Sequence, residues 1–197
     1  MKQDNFFEKD GIIFDRVTSI LDVYKPVELI DWQIRCGKKE ARRVSTIASK
    51  IGSNVDEYIK AEILGEKLPK LKSAEAENCV RAWKKWLEDY GIKIESLKCG
   101  VRFFNEEKKI TGEPDILMPD EVLDIKCSSS IRPNYWLQTQ VYAEQFGLEY
   151  RSILKLDKNL GVYEYERRKV CQADSDVFNA LTVVYRYFKQ FSKGEEE

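Results

Sequence analysis

The sequence predicts a mixed α/β (α+β) protein, a central mixed sheet flanked by helices with an N-terminal helical layer. Three observations lead there. Apolar residues recur at helical spacing through most of residues 1–91, and the period then shortens to that of strands. One helical segment, opened by Pro133 and closed by Gly147, interrupts the strand region. The 197 residues carry 43% hydrophobic and 12% aromatic content, enough for one ordered core without staples. The expected organisation is one compact domain: residues 1–91 form a hairpin and helical region packed on the core, residues 92–191 form that core, and 192–197 form a disordered tail.

The elements follow from local chemistry. Residues 6–17 (FFEKDGIIFDRV) read as a hairpin turning at Asp10-Gly11. Pro26 suits the first turn of a helix to about Ile34, ended near Gly37. From Lys38 to about Leu64, Ala41, Val44, Ile47, Ala48, Ile51, Val55, Ile59 and Ile63 make a helical stripe, expected to bend or break near Gly52. Ser73 caps a helix to Tyr90 with the stripe Val80, Trp83 and Leu87, and Gly91 ends it. Strands are expected at 92–104, 110–117 and 121–127, then a helix at 133–146. Two more strands follow at 149–156 and 161–167 around an Asn159-Leu160-Gly161 turn, and a last helix runs from Asp174 or Ser175 to Phe191.

Composition excludes several chemistries. The chain has no histidine, which removes Ser-His-Asp and Cys-His catalysis and HExxH zinc hydrolysis. The five cysteines, Cys36, Cys79, Cys99, Cys127 and Cys171, form no CxxC pair and are expected to be free, mostly buried thiols in a reducing compartment. No phosphate-cradling glycine loop is present. No apolar run reaches membrane-spanning length and the start MKQDN is no signal peptide, so a soluble, cytoplasmic protein with no membrane partner is expected. Charged residues make up 34% of the chain but nearly cancel at −1, so any nucleic-acid binding must come from a local patch.

The stretch GEPDILMPDEVLDIKCSSS, residues 112–130, concentrates the chemistry. On a strand, Asp124 and Lys126 share one face while Leu123 and Ile125 share the other. If 110–117 pairs with 121–127, Asp115 lies near Asp124. Two carboxylates about 4 Å apart repel by roughly 4 kcal/mol at a surface-like dielectric, a cost that a divalent cation removes. An all-oxygen site suits Mg²⁺, with Mn²⁺ as substitute. Lysine cannot ligate the ion but can hold an attacking water or a phosphate oxygen, the parts that phosphodiester hydrolysis needs. Two other [DE]xK tripeptides, in residues 106–109, sit in a polar turn and read as solvated. The competing reading of Asp124–Lys126 is a buried ion pair on a sheet.

With these residues the chain resembles the PD-(D/E)xK nuclease superfamily, Asp115, Asp124 and Lys126 being the signature. Gln138 and Tyr142, four apart on the following helix, resemble the RecB-like branch, which includes lambda-type and other phage-type exonucleases. The stretch RVTSIL…LIDWQIRCGKKEA…ASKIGSNVDEYI resembles the N-terminal helical region of phage-type members. The resemblance covers most of residues 16–147. It implies a restriction-endonuclease-like fold in which Asp115, Asp124 and the Ile125 carbonyl hold one or two Mg²⁺ ions. Lys126 then positions water, and Gln138 and Tyr142 orient the lysine and contact DNA. Where many relatives place a histidine ligand after the glycine near residue 52, this chain offers Asp56 or Glu57. Glu113 is a further ligand candidate, with solvent exposure as its alternative. The cysteine spacings do not match the iron–sulfur arrangement of some relatives, so no cluster is expected.

DNA contacts are expected from Lys38, Lys39, Arg42, Arg43 and Lys50, from Ser128, and from Trp136 if it stacks on bases instead of packing. The basic run Arg167-Arg168-Lys169 is a second candidate patch. The resulting expectation is a metal-dependent DNA nuclease, an exonuclease on DNA ends or single strands. Its setting would be recombination, repair or phage DNA processing in a bacterial or phage-infected cell. The alternatives are an inactive nuclease-fold DNA-binding or assembly protein and a site-specific endonuclease.

Overall fold

The computed structural model describes residues 6–191. The expected polar start and C-terminal tail lie outside the described residues. Strands β1 (Phe6–Lys9) and β2 (Ile12–Arg16) form the predicted hairpin, with Asp10 and Gly11 both at positive φ, the backbone that a tight two-residue turn requires. Helices α1 (Val17–Leu21), α2 (Val27–Cys36), α3 (Lys38–Leu64) and α4 (Ala74–Asp89) follow. The Ser73 hydroxyl caps α4 by accepting from the Ala76 amide at 3.2 Å.

Beyond them the chain builds two four-stranded mixed sheets. The first has the order β1-β2-β4-β3, with β3 at Phe103–Asn105 and β4 at Ile110–Gly112. The second comprises β5 (Ile116–Leu117), β6 (Glu121–Lys126), β7 (Tyr150–Leu156) and β8 (Tyr163–Lys169) in that order. Its one parallel pair, β6 with β7, is spanned by α5 (Pro133–Phe146) as the crossover. Helices cover both faces of this sheet. Val55 and Ile59 of α3 and Trp83 and Trp86 of α4 pack with Leu123, Leu154 and Leu156. On the other side α1, α5 and α6 (Gln172–Phe191) enclose Val122 through Ile20, Val141 and Phe178. Buried Asp15 of β2 is clasped from the far end of the chain by Arg186 Nε at 3.0 Å and Lys189 Nζ at 2.5 Å.

Four local expectations are corrected. Residues 92–104 do not form a continuous strand: they contain a 3₁₀ turn at Ile94–Ser96, a single bridge from Lys98 to Leu117, and strand only from Phe103. The expected strand 110–117 is divided, because Pro114 lacks the amide that a continuous ladder needs, so β4 and β5 fall in different sheets. Helix α3 runs unbroken through Gly52. Its apolar stripe is only half used: Ala41, Ile51, Val55 and Ile59 are buried, whereas Val44 and Ile47 are exposed and α2 beside them buries no residue. Of the five free cysteines only Cys79 is fully buried.

Gly112, at the end of β4, is a packing requirement. A Cβ there would sit 2.5 Å from Tyr142 Cε1 and 3.0 Å from Phe103 Cε1, both on buried rings that already meet edge to face at 5.8 Å. Gly112→Ala is expected to lower stability by about 1–3 kcal/mol, read as a lower urea midpoint at unchanged slope.

Candidate active site

Strand pairing creates the site. The antiparallel register Ile116↔Leu123 and Leu117↔Val122, extended by one step, sets Asp115 opposite Asp124. Asp115 does not continue the ladder. Its Oδ2 accepts the Ile125 amide at 2.8 Å, which fixes the carboxylate against β6. Asp124 and Lys126 do share a face, with Lys126 Nζ 2.5 Å from Asp124 Oδ2.

Asp124 differs from the other buried carboxylates. Glu121, in the same strand, receives the Tyr165 hydroxyl at 2.8 Å and Arg167 Nε at 2.8 Å. Asp15 receives Arg186 and Lys189. Asp124 is 1% exposed, yet neither of its oxygens receives a well-directed hydrogen bond; the Lys126 contact is an ion pair without donor alignment. A buried carboxylate left so is costly unless something else meets it. Burial pushes its pKa up to about 7, the Asp115 charge adds to the rise, and Lys126 pulls the other way. Burial acts against the Lys126 ammonium too, but Asp124 and then Asp115 outweigh it and hold its pKa above the usual lysine value.

A cleft of about 310 Å³ opens at this end of β6. Its walls include Gly52 and Asp56 of α3, Asp115, Lys126, Ser128 and Tyr135. The Tyr135 ring stands 5.1 Å from Lys126 Nζ and closes one side of the lysine. Asp56 lies on the cleft face of α3, whereas Glu57, one residue on, is exposed and turned away. Burial raises the Asp56 pKa, Asp115 raises it further, and Lys60, 3.2 Å away, opposes both. Glu113 is held by Arg102 at 2.7 Å and by Lys60 at 3.5 Å. Gln138 Nε2 donates to the Tyr142 hydroxyl at 3.5 Å; burial first, then the site carboxylates, pushes the Tyr142 pKa up.

The donor set suits a hard cation held by few protein ligands. Asp124 Oδ1 has no donor, Oδ2 meets only the Lys126 ammonium, and Asp115 keeps one oxygen beside the one that accepts the Ile125 amide. Among the described residues no three Asp, Glu, Cys or His side chains converge tightly enough to form a metal cage. Mg²⁺ is commonly held by one or two carboxylates, with waters and substrate phosphate completing its shell, so two carboxylates fit it and do not fit structural zinc.

The expected DNA contacts divide by environment. Lys38, Lys39, Arg42 and Lys50 are exposed along α3 without carboxylate partners among the described residues, while Arg43 is paired with Glu40 at 2.6 Å. Ser128 lies in the cleft wall, its hydroxyl donating to the Ser130 carbonyl at 2.9 Å. Trp136 is buried, with Arg168 3.9 Å and Arg151 5.5 Å from its ring centre, so packing accounts for it. In the second basic run Arg167 meets Asp120 and Glu121, Arg168 meets Glu166, and Lys169 meets Glu149. Sequence reasoning missed Lys60 and Arg102 and gave Tyr135 no role beside the lysine. The i,i+4 spacing of Asp56 and Lys60 was the available signal for the first.

No family model matches the chain, and no curated protein matches it. Among solved structures similar to it are those of an alkaline exonuclease and of a phage-related exonuclease. The alkaline exonuclease, LHK-Exo from Laribacter hongkongensis, is 15% identical over 91% of this chain and 93% of that one, with a TM-score of 0.45. LHK-Exo in complex with dAMP gives 16% identity, 72% and 85% coverage and a TM-score of 0.46. The phage-related exonuclease from Haemophilus somnus gives 17% identity, 72% and 82% coverage and a TM-score of 0.43. No helix among the described residues is long and apolar enough to cross a membrane.

Proposed function

We propose that the chain is a Mg²⁺-dependent deoxyribonuclease, acting as an exonuclease on DNA ends or single strands. The observation that carries this reading is Asp124: a buried carboxylate met by no donor but the Lys126 ammonium and set opposite Asp115, with Asp115, Ile125 and Lys126 beside it lining an open cleft. In the proposal Asp115, Asp124 and the Ile125 carbonyl hold the ion, which when bound lowers the pKa of a water and offsets charge on a phosphoryl oxygen. The Ile125 amide keeps Asp115 turned toward β6. Lys126, charged at neutral pH and flanked by Tyr135, holds the attacking water or a phosphate oxygen. From α5, Gln138 donates to the Tyr142 hydroxyl, and in the proposal this pair orients Lys126.

Lys38, Lys39, Arg42 and Lys50 give the strand a path. Residues 38 to 52 span about 21 Å of helix at 1.5 Å per residue, and at about 100° per residue Lys38 lies on the side of α3 that carries Gly52 and Asp56, Arg42 beside it, and Lys39 and Lys50 on the far side. Binding through them is expected to weaken with salt.

The test is digestion of linear single-stranded, linear double-stranded and closed circular DNA with Mg²⁺ by wild type, Asp124→Ala and Lys126→Ala. Only wild type is expected to degrade DNA, and only the linear forms. Equal digestion by all three proteins removes the assignment; cutting of the closed circle makes the protein an endonuclease. A second reading, a DNA-binding protein of this fold without turnover, is favoured by the lack, among the described residues, of a group of three acids close enough to hold a metal. It predicts DNA retention with no Mn²⁺ uptake that depends on Asp124.

A further inference from the structure

We propose that Lys60 occupies, with its own ammonium, the place beside the candidate site where a second cation would sit, so that the protein takes one divalent ion and not two. The identity of the first ion rests on the nuclease reading above; the role of Lys60 rests on its own contacts. Helix α3 places Asp56 and Lys60 one turn apart on the side facing the link between β4 and β5. Lys60 Nζ stands 3.2 Å from Asp56 Oδ2 and 3.5 Å from Glu113 Oε1, and it feels the charge of Asp115. Acids from a helix and from the link between two sheets thus converge on one ammonium whose side chain is only 31% exposed. Arg102 holds the second oxygen of Glu113 and keeps it turned toward Lys60.

Geometry and charge both favour one ion. Carboxylates around an ammonium stand about 3 Å from it, whereas Mg²⁺ draws its oxygens to about 2.0–2.1 Å. The acids around Lys60 are spread for the first arrangement, consistent with the absence of any three-acid metal set among the described residues. Asp56, Glu113, Asp115 and Asp124 face the cations Lys60, Arg102 and Lys126, which leaves one negative charge. One dication together with one phosphodiester brings the site to neutrality; a second dication would leave it strongly positive. Buried Asp124, met only by the Lys126 ammonium, points to where the first ion goes.

The test is a Mn²⁺ titration by calorimetry of the whole chain as wild type, Lys60→Ala and the double variant Lys60→Ala/Asp56→Asn. Circular dichroism checks that each is folded. The expected result is one Mn²⁺ per wild-type chain, two per Lys60→Ala chain and one again in the double variant. Two ions in wild type, or no gain in Lys60→Ala, overturns the inference while leaving the nuclease reading to the digestion experiment. A gained ion in a protein that digests no DNA supports Lys60 as the occupant and removes the nuclease reading. No Mn²⁺ uptake by any of the three proteins removes both.

Discussion

Asp124→Asn is expected to abolish DNA cleavage and, without metal, to make the protein more stable than wild type above neutral pH. The two effects have one origin. Burial and the facing Asp115 charge raise Asp124 from 3.8 to about 7, so the folded chain holds this proton more tightly than the unfolded chain. The stability that the proton confers is fully present below about pH 4 and is lost as pH rises through about 7. At about 1.4 kcal/mol per pKa unit the loss amounts to a few kcal/mol. Asparagine cannot ionise, so this contribution is absent from its curve. Asp56, raised by burial and by Asp115, adds a smaller slope of the same sign in both proteins. Urea midpoints at about pH 5 and about pH 8, with and without Mg²⁺, provide the check. Mg²⁺ should restore wild type at the higher pH and leave Asp124→Asn unchanged. If metal-free wild type is as stable at about pH 8 as at about pH 5, Asp124 is not the strained acid described here.

Lys126→Met should reduce cleavage by about 10²–10³-fold or more, the usual cost of losing one preorganised charge at a reacting centre. DNA binding in EDTA should change little, because the exposed cations of α3 remain. The substitution also removes the one cation that lowers the pKa of Asp124 by direct contact. The proton will then compete harder with metal, so Mn²⁺ affinity should fall at neutral pH and recover in alkali. A purely structural lysine would give the reverse pattern, with lost stability and no pH-dependent change in metal uptake. Anisotropy on a labelled strand, gel digestion and Mn²⁺ calorimetry at two pH values separate the cases.

The legible parts of the site were those that depend on neighbours along the chain. Alternation on a strand put Asp124 and Lys126 on one face, and a short return put Asp115 across from them. Ser73 and Pro133 marked true helix starts for the same local reason. Sequence pattern failed where a distant partner decides. Residues 92–102 have the apolar content of a strand but run past the edge of β5, pairing with it through the single bridge from Lys98 to Leu117. Arg167 and Lys169 read as part of a basic patch because their acids, Asp120, Glu121 and Glu149, are far away in sequence. Glu113 reads as a ligand candidate until Lys60 and Arg102 arrive from α3 and from the segment before β3. Val44 and Ile47 extend a helical stripe that the core does not reach.

The clasp on Asp15 ties the order of synthesis to the integrity of the fold. Its two cations come from residues 186 and 189, near the end of the described chain. A nascent polypeptide that has already formed its first hairpin therefore carries a carboxylate whose counter-charges have yet to leave the ribosome. Products truncated before residue 186 would lose both counter-charges and the turns of α6 that cover the hairpin at Asp15, and should be cleared by proteases well before full-length copies.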